Sequence, residues 1–160
     1  MGARFSIRYL FWLCCVVVIP SLTWGHHSGN TQSSPKTPSQ EEARALVSRG
    51  IRHLAQQDYR QAIMAFQVAT QLNPEEADAY FSWGVALGAL GQRHEEIEKY
   101  QQAVRYDPTL GEGYVAWALA LFQLGQEAQA RAKILEGLAA APNAISPTQL
   151  TILKGLGLVD

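Results

Sequence analysis

The residues able to do chemistry are few, and their spacing gives them nothing to do together. The chain has 160 residues, among them four histidines and two cysteines. Cys14 and Cys15 are adjacent, so they can build neither a disulfide framework nor a cysteine-based zinc site, which draws ligands from separate parts of a chain. His26 and His27 are neighbours with no third ligand nearby. His53 and His94 lie far apart, with no HExxH or paired-carboxylate spacing to join them. Glu95, Glu96 and Glu98 lie close together; at a helix start they complement the macrodipole. Gly111-Glu112-Gly113-Tyr114-Val115-Ala116 has the letters of a dinucleotide fingerprint. That cradle needs a strand before it, and here a proline turn stands in its place. Thirteen Lys and Arg against fourteen Asp and Glu leave a net charge of −1, which removes the electrostatic case for a nucleic-acid partner. The expectation is a protein that is not an enzyme and holds no cofactor or metal.

What the chain does contain is a period. Pro74, Pro108 and Pro142 recur every 34 residues, and so do Gly50, Gly84 and Ala118. The same interval relates Leu46 to Tyr80 and Tyr114, Phe66 to Tyr100 and Ile134, and Ala69 to Ala103 and Gly137. Such a period marks stacked supersecondary units, none of which can bury its apolar face alone. Tyr59, Ala62, Ile63, Phe66, Ala69 and Leu72 follow the spacing of one helix face, as do Tyr80, Trp83, Gly84, Leu87 and Leu90. Gln57-Asp58, Gly91-Gln92 and Gly125-Gln126 break each unit into two helices. Asn73-Pro74, Asp107-Pro108 and Ala141-Pro142 separate the units, because the residue before a proline is driven out of the helical region. Ser39-Gln40-Glu41-Glu42 reads as a capping box with Ser39 at the N-cap. Ser146-Pro147 opens a seventh helix, and Leu150, Ile152, Leu153, Leu156 and Leu158 give it an apolar face to close the last unit, with a polar side outward.

The N-terminus reads as an address. Arg4 and Arg8 precede the apolar run Tyr9–Ile19, which Pro20 ends. As a helix this run rises about 17 Å, short of a hydrocarbon core of about 30 Å. It fits the h-region of a signal peptide over residues 1–25, cut after Gly25. The alternative is an uncleaved N-terminal membrane anchor, extended by Leu22 and Trp24. Residues 26–39, rich in Ser, Pro, Gly and His, form a flexible linker. The expected location is the periplasm or the extracellular space.

Three in-register copies of a small residue in the first helix (Gly50, Gly84 and Ala118), followed in the first copy by Tyr59, Ala62, Phe66, Ala69 and Pro74, resemble the tetratricopeptide repeat (TPR) family. The fold expected is therefore an all-α, TPR-like solenoid of three helix-turn-helix repeats over residues 40–142 (43–76, 77–110 and 111–144), with a capping helix in 145–160. Three positions depart from the pattern. Arg49 stands where the later repeats have Trp83 and Trp117, His53 where they have Leu87 and Leu121, and Glu96 where the others have Ala62 and Ala130. Arg49 and His53 are expected to reach water at the free end of the stack, and Glu96 to snorkel out past a slightly opened helix pair.

The resemblance implies a concave groove lined by the first helix of each repeat, holding a peptide or a helix. The family's clamp for C-terminal carboxylates uses basic and amide residues at positions occupied here by Val47, Ile51, Ser82, Glu112 and Ala116, none of which matches. The groove residues expected instead are apolar: Val47, Ile51, Phe81, Val85, Val115, Leu119 and Phe122, with Leu54 further along. They point to a protein interaction module or scaffold that docks an apolar helix or peptide of another protein. The alternative is a self-assembling structural protein using the same surfaces, so the chain is expected as a monomer or weak homo-oligomer. Binding through apolar anchors worth roughly 1.5–3 kcal/mol each, before association costs, is expected to be weak and nearly independent of salt. It is expected to rest on Phe81, Val85, Val115 and Leu119.

Overall fold

The computed structural model describes residues 37–159. Residues 1–25, read above as a signal peptide, and residues 26–36 of the expected linker lie outside them. Among the described residues are seven helices and no strand: α1 (Pro38–Ala55), α2 (Tyr59–Leu72), α3 (Ala77–Ala89), α4 (Arg93–Tyr106), α5 (Gly111–Gln123), α6 (Glu127–Ala140) and α7 (Pro147–Gly155). Within pairs α1 packs on α2, α3 on α4 and α5 on α6. Between pairs α2 packs on α3 and α4 on α5, and α1 also reaches α3. The architecture is the all-α repeat solenoid expected from the 34-residue period.

The two outer ends start alike. Pro38 and Pro147 occupy the first helical turn, where a missing N–H costs nothing. The side chain of Gln40 accepts from the Thr37 N–H at 3.0 Å, and that of Gln149 from the Ser146 N–H at 2.8 Å. The first cap is thus Thr37 and not Ser39, and the helix begins inside the stretch read as linker. The expectation failed because Ser39 and Glu42 match the capping-box letters, while the proline one residue earlier fits only the first turn. The N-cap at Ser146 is as expected.

The turns inside the pairs repeat as closely as the sequence does. The N–H of Asp58 donates to the His53 carbonyl at 2.9 Å, that of Gln92 to Leu87 at 3.0 Å, and that of Gln126 to Leu121 at 3.0 Å. Each turn needs a left-handed residue just before that donor. Gly91 (φ 77°) and Gly125 (φ 75°) supply it at no steric cost; in the first pair Gln57 is forced to φ 63°.

One buried cluster gathers Val47, Phe66, Ala69, Ala79 and Ala86 around the first pair and the start of the second. A second runs from Ile97 and Tyr100 through Tyr114, Trp117 and Ile134 to Ile145, Leu153 and Leu158. Close approach depends on glycine: Cβ atoms at Gly50 and Gly84 would run into the rings of Phe66 and Tyr100. Lys99 Nζ lies 4.1 Å from the Trp83 ring centre, and Lys133 stands the same distance over Trp117. A pair of this kind adds about 0.5–1 kcal/mol. The first pair has Arg49 and Ala65 at these positions and lacks it.

Glu96 does not snorkel to water. It is 7% exposed, and its Oε2 accepts from Arg93 Nη1 at 2.7 Å, while the same nitrogen donates to the Gly88 carbonyl at 2.9 Å. Room for it comes from across the pair. Gly88 stands at the repeat position of Leu54 and Phe122, and a Cβ there would lie 2.5 Å from Glu96 Oε1. In the outer pairs a large residue on the first helix faces an alanine on the second. The middle pair inverts the arrangement.

The terminal helix buries Leu153 completely. Its outer side is less polar than expected, with Ile152 54% exposed and Leu156 exposed as well.

Candidate functional site

Helical spacing brings part of the apolar row together between the first two pairs. Between α1 and α3 lies an open depression of about 550 Å³, lined by Arg44, Val47, Ser48 and Ile51 from α1 and by Asp78, Phe81 and Ser82 from α3, with Glu76 at the turn between the pairs. Residues 44, 47, 48 and 51, and likewise 78, 81, 82 and 85, share one face of their helix by their three- and four-residue steps. Ile51 is 49% exposed, and Val85 at the next equivalent position 39%. Leu119, one repeat further, is only partly exposed, packed against the second core cluster.

The expected site residues therefore divide. Val47, Ile51 and Phe81 line one depression and Val85 continues the face of Phe81, but Val47 is 6% exposed and is also part of the first core cluster. Val115 is 7% exposed and belongs to the core; Leu119 and Phe122 pack against that core alongside Leu150 and Val159. Val115 is thus buried as Val47 is at the equivalent position of α1, and the ends differ at Leu119, half-buried where Ile51 and Val85 are exposed. Phe81 has two roles, since its ring lies 5.8 Å from that of Tyr100 at a tilt of 38°. Replacing Phe81 and Leu119 together thus strips contacts from the core as well as from the groove.

The groove is also more polar than expected. Arg44 and Ser48 stand one helical step from Val47 and Ile51, and Asp78 and Ser82 repeat that placement, so the same spacing that selects the apolar row selects them too. Glu76 carries no such signal, being in the turn. It is nine-tenths buried, and its Oε2 accepts from Asn73 Nδ2 at 2.9 Å and from Arg44 Nε at 3.5 Å. Beneath this rim burial pushes the Tyr100 phenol well above its usual range, reinforced by the negative charge of Glu96. Nothing in this set pairs a nucleophile with a base. Among the described residues no group of three His, Cys, Asp or Glu side chains is placed to hold a metal ion.

No protein-family model matches the chain, and no curated protein matches it. Solved structures do. The first TPR domain of Spaghetti (RPAP3), bound to an HSP90 peptide, is 18% identical over 74% of this chain and 94% of its own, with a TM-score of 0.67. The TPR domain of Sgt2 from Aspergillus fumigatus is 23% identical over 80% of this chain and 83% of its own, also at 0.67. MamA is 25% identical at a TM-score of 0.60, over 64% of this chain and 59% of MamA. The helices described above form the tetratricopeptide-repeat fold.

Proposed function

We propose that the chain is a non-catalytic interaction module, exported from the cytoplasm, which docks a mainly apolar helix or extended peptide of another protein between α1 and α3. The observation that carries this reading is the exposure of Ile51 and Val85, at equivalent positions of successive first helices, beside an open depression floored by Val47 and Phe81. Exposed apolar side chains aligned across two helices of a rigid scaffold are a surface that gains by being covered. Solved TPR domains support the class of activity: that of RPAP3 is bound to an HSP90 peptide, and those of yeast Sti1 are complexes with pHSP90 and pHsp70. The chaperone peptides themselves are not carried over, because Val47, Ile51, Ser82, Glu112 and Ala116 stand here in place of the carboxylate-binding set.

Export rests on the order of basic residues, apolar run and small residues in 1–25. Among the described residues no helix is long and apolar enough to cross a membrane. A reporter active only outside the cytoplasm, fused after residue 30, should be active, and the mature chain should begin near His26. An inactive fusion would remove the location from the proposal.

The groove is tested by site-specific crosslinking in cells. A photoreactive benzophenone residue at position 51 should give a discrete crosslinked partner, and one at position 135, where an exposed Leu lies on α6 away from the groove, should not. Equal patterns at the two positions would overturn the groove. Crosslinks only to other copies of the chain would favour self-assembly.

A further inference from the structure

The inverted packing of the middle pair bears on which helices can pair with which. At their closest approach the three pairs are alike. Gly50 lies under Phe66 and Gly84 under Tyr100, and Ala118 and Ile134 hold the same positions in the third pair. Such likeness invites exchange, in which the first helix of one repeat packs on the second helix of another, within one molecule or between two. Misassembly of this kind is a characteristic failure of repeat proteins.

One turn further along, the likeness ends. Three positions change together in the middle pair: Gly88 where the others have Leu54 and Phe122, Arg93 where they have Tyr59 and Glu127, and Glu96 where they have Ala62 and Ala130. The three form one unit. Arg93 Nη1 donates to Glu96 Oε2 at 2.7 Å and to the Gly88 carbonyl at 2.9 Å, and the carboxylate fills the space that a Cβ at Gly88 would enter. Packed on α1 or α5, α4 would set Glu96 against Leu54 or Phe122, and Arg93 would lose the Gly88 carbonyl. With α2 or α6 as its second helix, α3 would set Gly88 against Ala62 or Ala130 and leave a void in place of the carboxylate. The first mismatch overpacks and strands a buried charge, and the second forfeits contacts.

We infer that Gly88, Arg93 and Glu96 are a pairing key, which makes α3 and α4 fit each other and no other helix of the stack. Every exchange between neighbouring repeats in a three-repeat chain involves the middle one, so a single key placed there opposes all of them. A buried ion pair adds little stability over well-packed apolar residues, and fixing which partner or register is adopted is its best-attested use. The key does not depend on the groove.

The test is refolding of the full-length chain, with reductant present for Cys14 and Cys15. Gly88→Leu/Glu96→Ala removes the key by giving the middle pair the packing of the others. Leu54→Gly/Tyr59→Arg/Ala62→Glu copies the key into the first pair, so that the first and middle pairs match again. Each variant is unfolded in denaturant, returned to native conditions at about 5 to about 100 μM, and its monomer fraction measured by size exclusion with light scattering. Both variants should unfold cooperatively at equilibrium yet refold with a misassembled fraction roughly fivefold above that of the wild type, rising with concentration. A role for Glu96 in stability alone would shift the unfolding midpoint and leave the refolded monomer fraction of a folded variant at the wild-type level; that result overturns the key. Failure of both variants to fold overturns it too, since the three residues would then serve only the packing of their own pair.

Discussion

The two ends of the groove-lining row are built from equivalent positions and differ at one of them. On α1 and α3, Ile51 and Val85 are 49% and 39% exposed, whereas Leu119 on α5 is half-buried against a core that includes Leu153 and Leu158. One step earlier the ends agree: Val47 and Val115 are both buried, at 6% and 7%. Residue type does not explain the difference at Leu119, since all three residues are apolar. Among the described residues the last pair is followed by a C-terminal segment that shares its core, and no helix precedes the first pair. Repeat position selects which residues share the face, and the neighbour of each repeat changes how far they are covered.

The strongest way to collapse the contrast is to unseat the closing segment. Leu153→Asp places a charge at a completely buried site and removes the packing of a core leucine, together costing about 4 kcal/mol or more. Thermal unfolding should drop steeply, and hydrogen exchange should rise first in α5 to α7. An unchanged melt would show that α7 closes nothing.

The middle pair offers a sharper test, because its inverted packing predicts a rescue. Glu96→Ala strands Arg93 and leaves a hole beside Gly88, for a loss of about 2–3 kcal/mol, held below the full buried-pair figure because Arg93 is partly exposed. Gly88→Leu alone drives a side chain into the Glu96 carboxylate and should cost as much. The double variant restores the arrangement of Leu54 and Ala62 and should be more stable than either single one. Additive losses in denaturant unfolding would refute the compensation.

Tyr100, packed under Phe81 at the open half, gives that half a pH signature. Its phenol is pushed up in the folded state, so the fold favours the neutral form. The associated stability is intact below about pH 10, the ordinary tyrosine value, and falls as the pH rises above it. Tyr100→Phe should flatten the alkaline decline in stability, and an identical slope in the variant would contradict it.

The smallest effect separates the first turn from the other two. Gln57→Gly relieves the one non-glycine residue with positive φ among the described residues and should stabilise by about 0.5–1 kcal/mol. A destabilised variant would mean that the side chain of Gln57 matters more than its backbone.

The fold was readable because a repeat states its packing rules several times. Each 34-residue interval marks the same close approach, as Gly50 and Gly84 do under Phe66 and Tyr100, so one doubtful residue does not obscure the pattern. The Glu96 anomaly was readable in principle as well, since Gly88 lies 34 residues from both Leu54 and Phe122, but a pairwise change across two helices is missed when positions are read singly. The site was only half readable. Helical spacing picks out Val47, Ile51, Phe81 and Val85, and with them Arg44, Ser48, Asp78 and Ser82. It does not say which of them are buried: Val47 and Val115 are both core, and Leu119 is half-buried where Ile51 and Val85 are exposed. Glu76 sits in a turn, where no face is defined.

The central claim, that the open half between α1 and α3 is the binding surface, is tested most directly by backbone chemical-shift mapping of the full-length chain with a peptide from the partner crosslinked at position 51. The account predicts perturbations concentrated at Val47, Ile51, Phe81 and Val85, with Val115 and Phe122 unmoved. Perturbations gathered instead on Met64 and Val68 of α2, or on Ile152 and Leu156 at the C-terminal end, would contradict it.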